Sequence, residues 1–311
     1  MTRYLLTTIL GLEEALAKEV CTKNIKTITL LPSRVIIESD KPPTNLRVAT
    51  RVLELLEATT ISKINTLEIR HTIRNTLRKH SLQENNLETH VHGKCYPKNK
   101  LKMIAAREYK RVTGKNPQLL APKLVIDLFC RENLLMVSLE KARLWTGKRE
   151  YYSYRHPTPL NPIIAAAIPY IADIKDETLL DPMAGIGTIP IEASLATGNP
   201  AQASDINPIY IQYAIQHAKN ANIQIDAYVA DLKKHPATNI DVIATDPPRR
   251  NLQTYLRLVK LLQDIRSKLI VLVTPYPGIA RKVLTNYVLD KFVATFQGGE
   301  KVVIEVFKFS I

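Results

Sequence analysis

The stretch 178–196, TLLDPMAGIGTIPIEASLA, sets the reading of the whole C-terminal half. An apolar run ends in Asp181, a glycine turn follows at Gly185 and Gly187, and an apolar helical pattern opens at Thr188. Strand, tight turn and helix in that order form one unit of a parallel α/β sheet. The order recurs in 201–221, AQASDINPIYIQYAIQHAKNA. Further strands are predicted in DAYVADL (226–232), DVIATDPP (241–248), KLIVLVTP (268–275) and VVIEVFKFSI (302–311). The expected fold is α/β, a doubly wound sheet with helices on both faces. Ligands of such sheets lie beyond the carboxyl ends of the strands, where strand order reverses.

Four carboxylates stand at or just past predicted strand ends: Asp181, Asp205, Asp231 and Asp246. One sheet edge would carry all four into one cleft. Gly185 and Gly187 have no Cβ, so the first turn can be tight and approach a ligand closely. Thr188 is placed to cap the next helix. Asp205, ending the second strand, is placed to accept from both hydroxyls of a ribose. Asp231 is placed to accept from an adenine amino group, and Asp181 suits a cationic amino group. A nicotinamide fingerprint would need a third glycine where Glu192 stands, and there is no G-x-x-x-x-G-K-[ST] phosphate loop. The alternative is that each acid merely caps a helix. Four in order along one edge argue against it.

The net charge of +14 is unevenly spread. Residues 1–155 hold 28 Lys and Arg against 15 Asp and Glu, whereas 156–311 hold 15 against 14. A polyanion partner for the N-terminal half accounts for this, since lysine and arginine contacts to phosphates release counterions. A generally basic, solvated surface is the other reading. Hydrophobic residues make up 45%, enough for packed cores. No apolar run reaches the roughly 20 residues of a membrane span, and the charged N-terminus lacks the form of a secretory signal. Cys21, Cys95 and Cys130 are far apart and odd in number, so neither a disulfide framework nor a metal site is expected. A cytoplasmic location fits.

The N-terminal half mixes short strands and helices. Residues 1–60 are expected to form a small α/β domain: strand RYLLTT, helix GLEEALAKEVCTK, two strands in TITLLPSRVIIES, then a helix in NLRVATRVLELLEATTIS. Residues 61–148 form a second domain with helices in EIRHTIRNTLRKHS and KNKLKMIAAREYKRVTG, a strand in ETHVHGKCY and two strands in KLVIDLFCRENLLMVSLEKARL. Lys100, Lys102, Arg107, Lys110, Arg111 and Lys115 make its second helix a candidate RNA surface. An ordinary solvated helix face would look the same. Pro157, Pro159 and Pro162 mark a linker over 149–160, and 161–311 is the C-terminal domain. Trp145, Tyr151, Tyr152 and Tyr154 alternate with Lys148, Arg149 and Arg155, a mixture suited to a single-stranded end. The same aromatics could instead pack the linker on its neighbours.

DPMAGIGTIPIEA, SDIN, VADL and DPP, in this order, resemble motifs one to four of class I methyltransferases. RHPTPLNPIIAAAI followed by DPMAGIGTIPIEA is similar to the THUMP-containing tRNA guanine-N2 methyltransferases. The resemblance implies a Rossmann-like class I methyltransferase domain preceded by a ferredoxin-like domain and a THUMP-like domain. It implies S-adenosyl-L-methionine as cofactor and tRNA as partner, gripped by its 3′ end and acceptor region; a monomer is the separate expectation. By motif, His156, Thr158, Pro159 and Leu160 would close over the cofactor. Asp181, Met183, Gly185, Gly187 and Thr188 would meet its methionine end. Asp205 and Ile206 would bind ribose, Asp231 and Leu232 adenine. Asp246, Pro247, Pro248 and Arg249 would form the catalytic loop.

The loop departs from the family pattern, which places Tyr or Phe after the prolines to stack on the base. Arg249 stands there instead, and its planar guanidinium could stack or hold a phosphate. Asp-Pro-Pro-Arg is typical of uridine-C5 methyltransferases, but those attack C6 with a thiolate, and no cysteine follows Cys130. Tyr276 could supply the missing ring or could pack on the sheet. Methylation of another RNA base or atom, and an inactive RNA-binding protein of the same fold, are the alternatives to N2-methylguanosine formation.

Overall fold

The computed structural model describes residues 1–80, 82, 86–117, 123–154, 159–234, 240–248 and 252–310. The chain divides into two compact units: 1–8 with 20–144, and 9–19 with 145–311.

The first unit is a seven-stranded sheet. Its strands are β1 (Thr2–Thr7), β2 (Lys26–Leu31), β3 (Arg34–Ser39), β4 (Arg51–Thr60), β5 (Asn86–His92), β6 (Lys123–Phe129) and β7 (Leu134–Arg143), in the order β2-β3-β1-β4-β7-β6-β5. Only β5 and β6 run parallel; the other neighbours are antiparallel. The boundary expected at residue 60 falls inside this sheet, because β4 pairs with β7 along nearly its full length. Helices α2 (Thr66–Lys79) and α3 (Lys98–Thr113) cover one face. Ile69, Ile73 and Leu77 of α2 and Leu101, Ile104 and Tyr109 of α3 pack on Leu124, Ile126 and Val137. The opposite face holds a smaller core of Leu5, Leu53, Val125, Phe129 and Met136.

That second face also buries charge. Arg34 on β3 donates to Asp127 Oδ1 on β6 (2.9 Å), and His92 Nε2 lies 2.7 Å from the same oxygen. Asp127 is fully buried, and the His92 ring stacks on Phe129 with centroids 4.1 Å apart. Arg51 reaches both Glu88 and Glu140. These pairs join strands that the sequence reading assigned to separate domains.

Two expectations are corrected here. Residues 51–60 form a strand, not a helix. Cys95 and Cys130 form a disulfide. Parallel pairing sets His92 opposite Phe129, so the chain ends just beyond them meet although 35 residues separate the cysteines.

The second unit begins with residues of α1 (Glu13–Thr22), where Lys18 donates to the Tyr170 carbonyl and pairs with Asp173, as does Lys291. Its helices continue with α4 (Pro162–Ile171), α5 (Thr188–Thr197), α6 (Pro208–Asn220) and α7 (Leu252–Leu262). Asn-Pro opens α4 and α6: Asn161 accepts from the Ile163 N–H and Asn207 from that of Ile209, with proline at the first helical position. The strands are β8 (Leu179–Asp181), β9 (Gln202–Asp205), β10 (Asp226–Val229), β11 (Val242–Thr245), β12 (Leu269–Thr274), β13 (Tyr287–Gln297) and β14 (Glu300–Phe309). Their order is β10-β9-β8-β11-β12-β14-β13. The first five are parallel; β14 runs antiparallel to β12 and to β13. Strand order therefore reverses between β8 and β11, as a doubly wound sheet requires of a binding edge. Among the described residues no helix is long and apolar enough to cross a membrane.

Candidate active site

The carboxyl ends of β8, β9, β10 and β11 carry the four expected acids. Asp181 ends β8, Asp205 ends β9, Asp231 lies two residues past β10, and Asp246 lies one past β11. Asp181 and Asp246 thus flank the reversal point. Asp181 is 2% exposed, and its Oδ1 accepts the Met183 N–H at 3.0 Å. Burial, reinforced by the charges of Asp205 and Asp246, pushes its carboxyl up to about 7. Asp205 accepts the Gly185 N–H on Oδ2 and the Asn207 N–H on Oδ1, both at 2.9 Å. One carboxylate thereby locks the glycine turn to the end of β9. Asp231 is exposed and accepts the Lys233 N–H. Asp246 is half-buried, Pro247 buried and Pro248 exposed.

The glycine turn divides its labour. Gly187, at φ +85°, is the N-cap of α5, and a Cβ there would sit 2.9 Å from the Ala214 Cβ and 3.2 Å from its Cα. Gly185, at φ +52°, faces open space. Gly187→Ala is expected to lower the melting temperature clearly more than Gly185→Ala. The first must displace α6, whereas the second adds only left-handed backbone strain of about 1–2 kcal/mol. Thermal denaturation of the two variants checks this. Thr188 makes no cap; its hydroxyl meets the Tyr152 hydroxyl at 2.8 Å. Gly187 occupies the capping position one residue earlier, which turns the threonine side chain away from the helix end.

The remaining expected contacts are unevenly placed. Met183 packs partly into the core beside β11 and α7, Leu232 is buried, and Ile206 is 68% exposed beside Asp205. Pro159 is half-buried and Leu160 buried. His156, Thr158, Arg155 and Arg249 lie outside the described residues. A cleft of about 520 Å³ opens beside the glycine turn, lined by Trp145, Lys148, Tyr152, Tyr154, Pro159 and Ile186 among others.

Two residues escaped the sequence reading. His217 on α6 is fully buried, with Nδ1 3.1 Å from the Ile186 carbonyl and Nε2 accepting the Tyr154 N–H at 3.2 Å. Burial holds its pKa below the usual value, so the ring is neutral, which this acceptor role requires. It ties the glycine turn to the segment before the prolines. Glu192, the residue in place of a third glycine, is fully buried and accepts from Arg149 Nε and the Tyr151 hydroxyl, each at 2.9 Å. Arg149 is consequently 4% exposed. It was expected on an RNA surface; it is instead one half of a buried ion pair, because Glu192 needs a cation in the core.

In the first unit α3 exposes Lys100, Lys102, Arg107, Lys110, Arg111 and, just past its end, Lys115. Lys100 sits over the Tyr96 ring, 5.4 Å from its centroid. The one buried acid of α3, Glu108, is already matched by Arg70 and Arg74 of α2. Lys148 in the second unit is also exposed.

The segment that carries this edge matches a known protein family. Residues 149–250 match the family described as RMKL-like, methyltransferase domain. This segment is similar to a methyltransferase domain. The chain is 28% identical over 202 residues to the tRNA (guanine(6)-N2)-methyltransferase of Archaeoglobus fulgidus, covering 48% of this chain and 51% of that protein. It is 53% identical over 53 residues to the enzyme of the same name from Methanocaldococcus jannaschii, covering 17% and 14%. The chain thus spans about half the length of the first relative and less of the second. The solved structure of TrmN from Thermus thermophilus superposes with a TM-score of 0.79 over 99% of this chain and 100% of that one, at 18% identity. Both units therefore share that fold.

Proposed function

We propose that this chain is an S-adenosylmethionine-dependent tRNA methyltransferase that forms N2-methylguanosine by direct transfer. The observation that carries the reading is the set of four strand-end carboxylates around the β8/β11 reversal, within a segment that matches a methyltransferase family. The names of the two relatives supply the substrate class and the target atom.

The residues present fit the cofactor. Gly185 leaves open space where a side chain would stand. Asp181 is buried, and among the described residues no cation pairs with it. Ile206, Ile209 and Val229 stand exposed at the same edge, an apolar ledge for a purine. When bound, the cofactor supplies an electrophilic methyl group on a sulfonium. Asp181 would hold the amino end, Asp205 the ribose hydroxyls through the lone pairs that Gly185 and Asn207 leave open, and Asp231 the adenine amine. A guanine exocyclic amine is a poor nucleophile because its lone pair is delocalised. The Asp246 carboxylate and a carbonyl of the proline loop would accept its hydrogens, aim the lone pair and stabilise the charge that develops.

Residues 1–60 and 61–148 are read as the ferredoxin-like and THUMP-like parts of one RNA-binding unit. Its exposed lysines and arginines on α3 suit the phosphates of a tRNA end. Arg249 in place of the family's aromatic favours a second reading, methylation of another base or atom.

One assay tests all of this. Unmodified tRNA is incubated with methyl-labelled S-adenosylmethionine, and the labelled nucleoside is identified by mass spectrometry. N2-methylguanosine is the expected product. Asp246→Ala is expected to lower kcat by about a hundredfold to a thousandfold with cofactor binding retained. Full activity in that variant would sink the proposed mechanism. A different labelled nucleoside would move the target. RNA binding without label or cofactor binding would leave an RNA-binding protein of this fold.

A further inference from the structure

The methyltransferase domain buries a carboxylic acid that the proposed transfer does not use. Glu305 on β14 is fully buried, and burial raises its pKa. One oxygen accepts the Gly278 N–H; the other, Oε2, has no hydrogen-bond partner among the described residues. Gly278 lies in the turn 274–279, Thr-Pro-Tyr-Pro-Gly-Ile, which leaves the carboxyl end of β12. Thr274 holds the start of the same turn, its hydroxyl accepting the Tyr276 N–H at 3.0 Å. The turn is therefore pinned at both ends, and what it presents between them is the ring of Tyr276.

The topology puts that ring beside the catalytic loop. β11 and β12 are parallel neighbours, with Thr245 opposite Leu272. Extending the register by two residues sets Pro247 opposite Thr274, so the Asp-Pro-Pro loop and the Tyr276 turn leave the sheet side by side. Both belong to the edge where strand order reverses. Tyr276 is half-buried and packs against Tyr255 of α7, ring centroids 5.1 Å apart and tilted by 57°. Tyr255 in turn lies near Asp246: burial, with the charges of Glu305 and Asp246, raises the pKa of its hydroxyl. The sequence lacks an aromatic directly after the prolines, and this neighbouring strand end supplies one.

We infer that Tyr276, set by Glu305 and backed by Tyr255, is the ring on which the target base stacks, and so the residue that admits a flipped base to Asp246. This rests on the reading of the chain as an RNA methyltransferase. A base extruded from its own stack needs a π face to replace its neighbours, and stacking on an aromatic side chain serves any base.

The test uses the full-length protein with Tyr276→Phe and Tyr276→Leu. Leucine keeps the apolar contact with Tyr255 and removes the ring; phenylalanine keeps the ring. Methyl transfer is measured against tRNA concentration at saturating S-adenosylmethionine, and cofactor affinity is measured separately by calorimetry. The expected result is near-native activity for Tyr276→Phe and a loss of about tenfold to a hundredfold in kcat/KM for tRNA in Tyr276→Leu, with cofactor affinity unchanged in both. Native activity in Tyr276→Leu overturns the inference alone. So does a parallel fall of cofactor affinity and melting temperature in both variants, which marks a packing role. A wild-type protein that methylates no RNA overturns the inference together with the reading beneath it.

Discussion

S-adenosylmethionine is expected to bind about a hundredfold more weakly at about pH 5 than at about pH 8, and the cause is Asp181. Its carboxyl is buried at the end of β8 and pushed up to about 7 by burial and by the charges of Asp205 and Asp246. The sign follows from linkage. The free protein favours the protonated acid, so this group's contribution to stability is full below its ordinary value near 4 and is lost as pH rises through about 7. A cationic ligand reverses the preference, because its charge stabilises the carboxylate. Binding must therefore expel a proton below about pH 7, and each further unit of acidity costs about tenfold in affinity. Above about pH 8 the affinity should level off. Calorimetry in two buffers of different ionisation enthalpy counts the proton directly, with close to one released near about pH 6. Asp181→Asn should bind weakly at every pH with no proton released. An affinity that is flat across this range in the native protein would remove Asp181 from the ligand's amino end.

The same residues show what a sequence does and does not disclose. The four acids could be placed because a strand end is a local feature: a short apolar run, an acid, then a turn or a helix cap. That they share one edge follows from the helical crossovers, which make the strands parallel and bring their carboxyl ends to the same side. Residues 51–60 misled for a physical reason. Val52, Leu53, Leu55 and Leu56 repeat at helical spacing because the strand is bulged twice, between Val52 and Leu53 and between Leu55 and Glu57, and each bulge breaks the alternation of a flat strand. Leucine and glutamate, both good helix formers, reinforced the error.

What stayed hidden is mostly long-range. Arg149 has the sequence context of a nucleic-acid contact, and only Glu192, 43 residues on, decides that it is buried. The Cys95–Cys130 bridge depends on β5 and β6 being parallel neighbours, a pairing that no local pattern announces. Glu305 looked like any polar residue in a closing strand. Its partner is the N–H of Gly278 on the turn after β12, and only the antiparallel pairing of β12 with β14 brings the two together.

Asp127→Ala is expected to destabilise the first unit by about 3–5 kcal/mol, the largest single effect anticipated outside the active site. Asp127 is fully buried between Arg34 and His92, and Arg34's side chain is itself only 8% exposed. Burial alone would raise the pKa of Asp127, but the His92 hydrogen bond and the Arg34 charge outweigh it and hold the carboxyl below its usual value. Its contribution is thus present above about pH 4 and is lost only as pH falls through that lowered value. Removing the carboxylate leaves Arg34 buried without the partner it donates to, and that penalty exceeds the loss of the contact itself. The two units need not melt together, so a single midpoint would mislead. Hydrogen exchange at the amides of β3 and β6, read beside S-adenosylmethionine binding, separates them. Asp127→Ala should speed exchange in β3 and β6 and abolish tRNA binding at temperatures where cofactor binding persists. Replacing Arg34 and Asp127 together by leucine should recover much of the stability, since it removes the stranded charge as well as the pair. If the double variant were no more stable than Asp127→Ala, the cost would lie in lost shape and packing rather than in an uncompensated arginine.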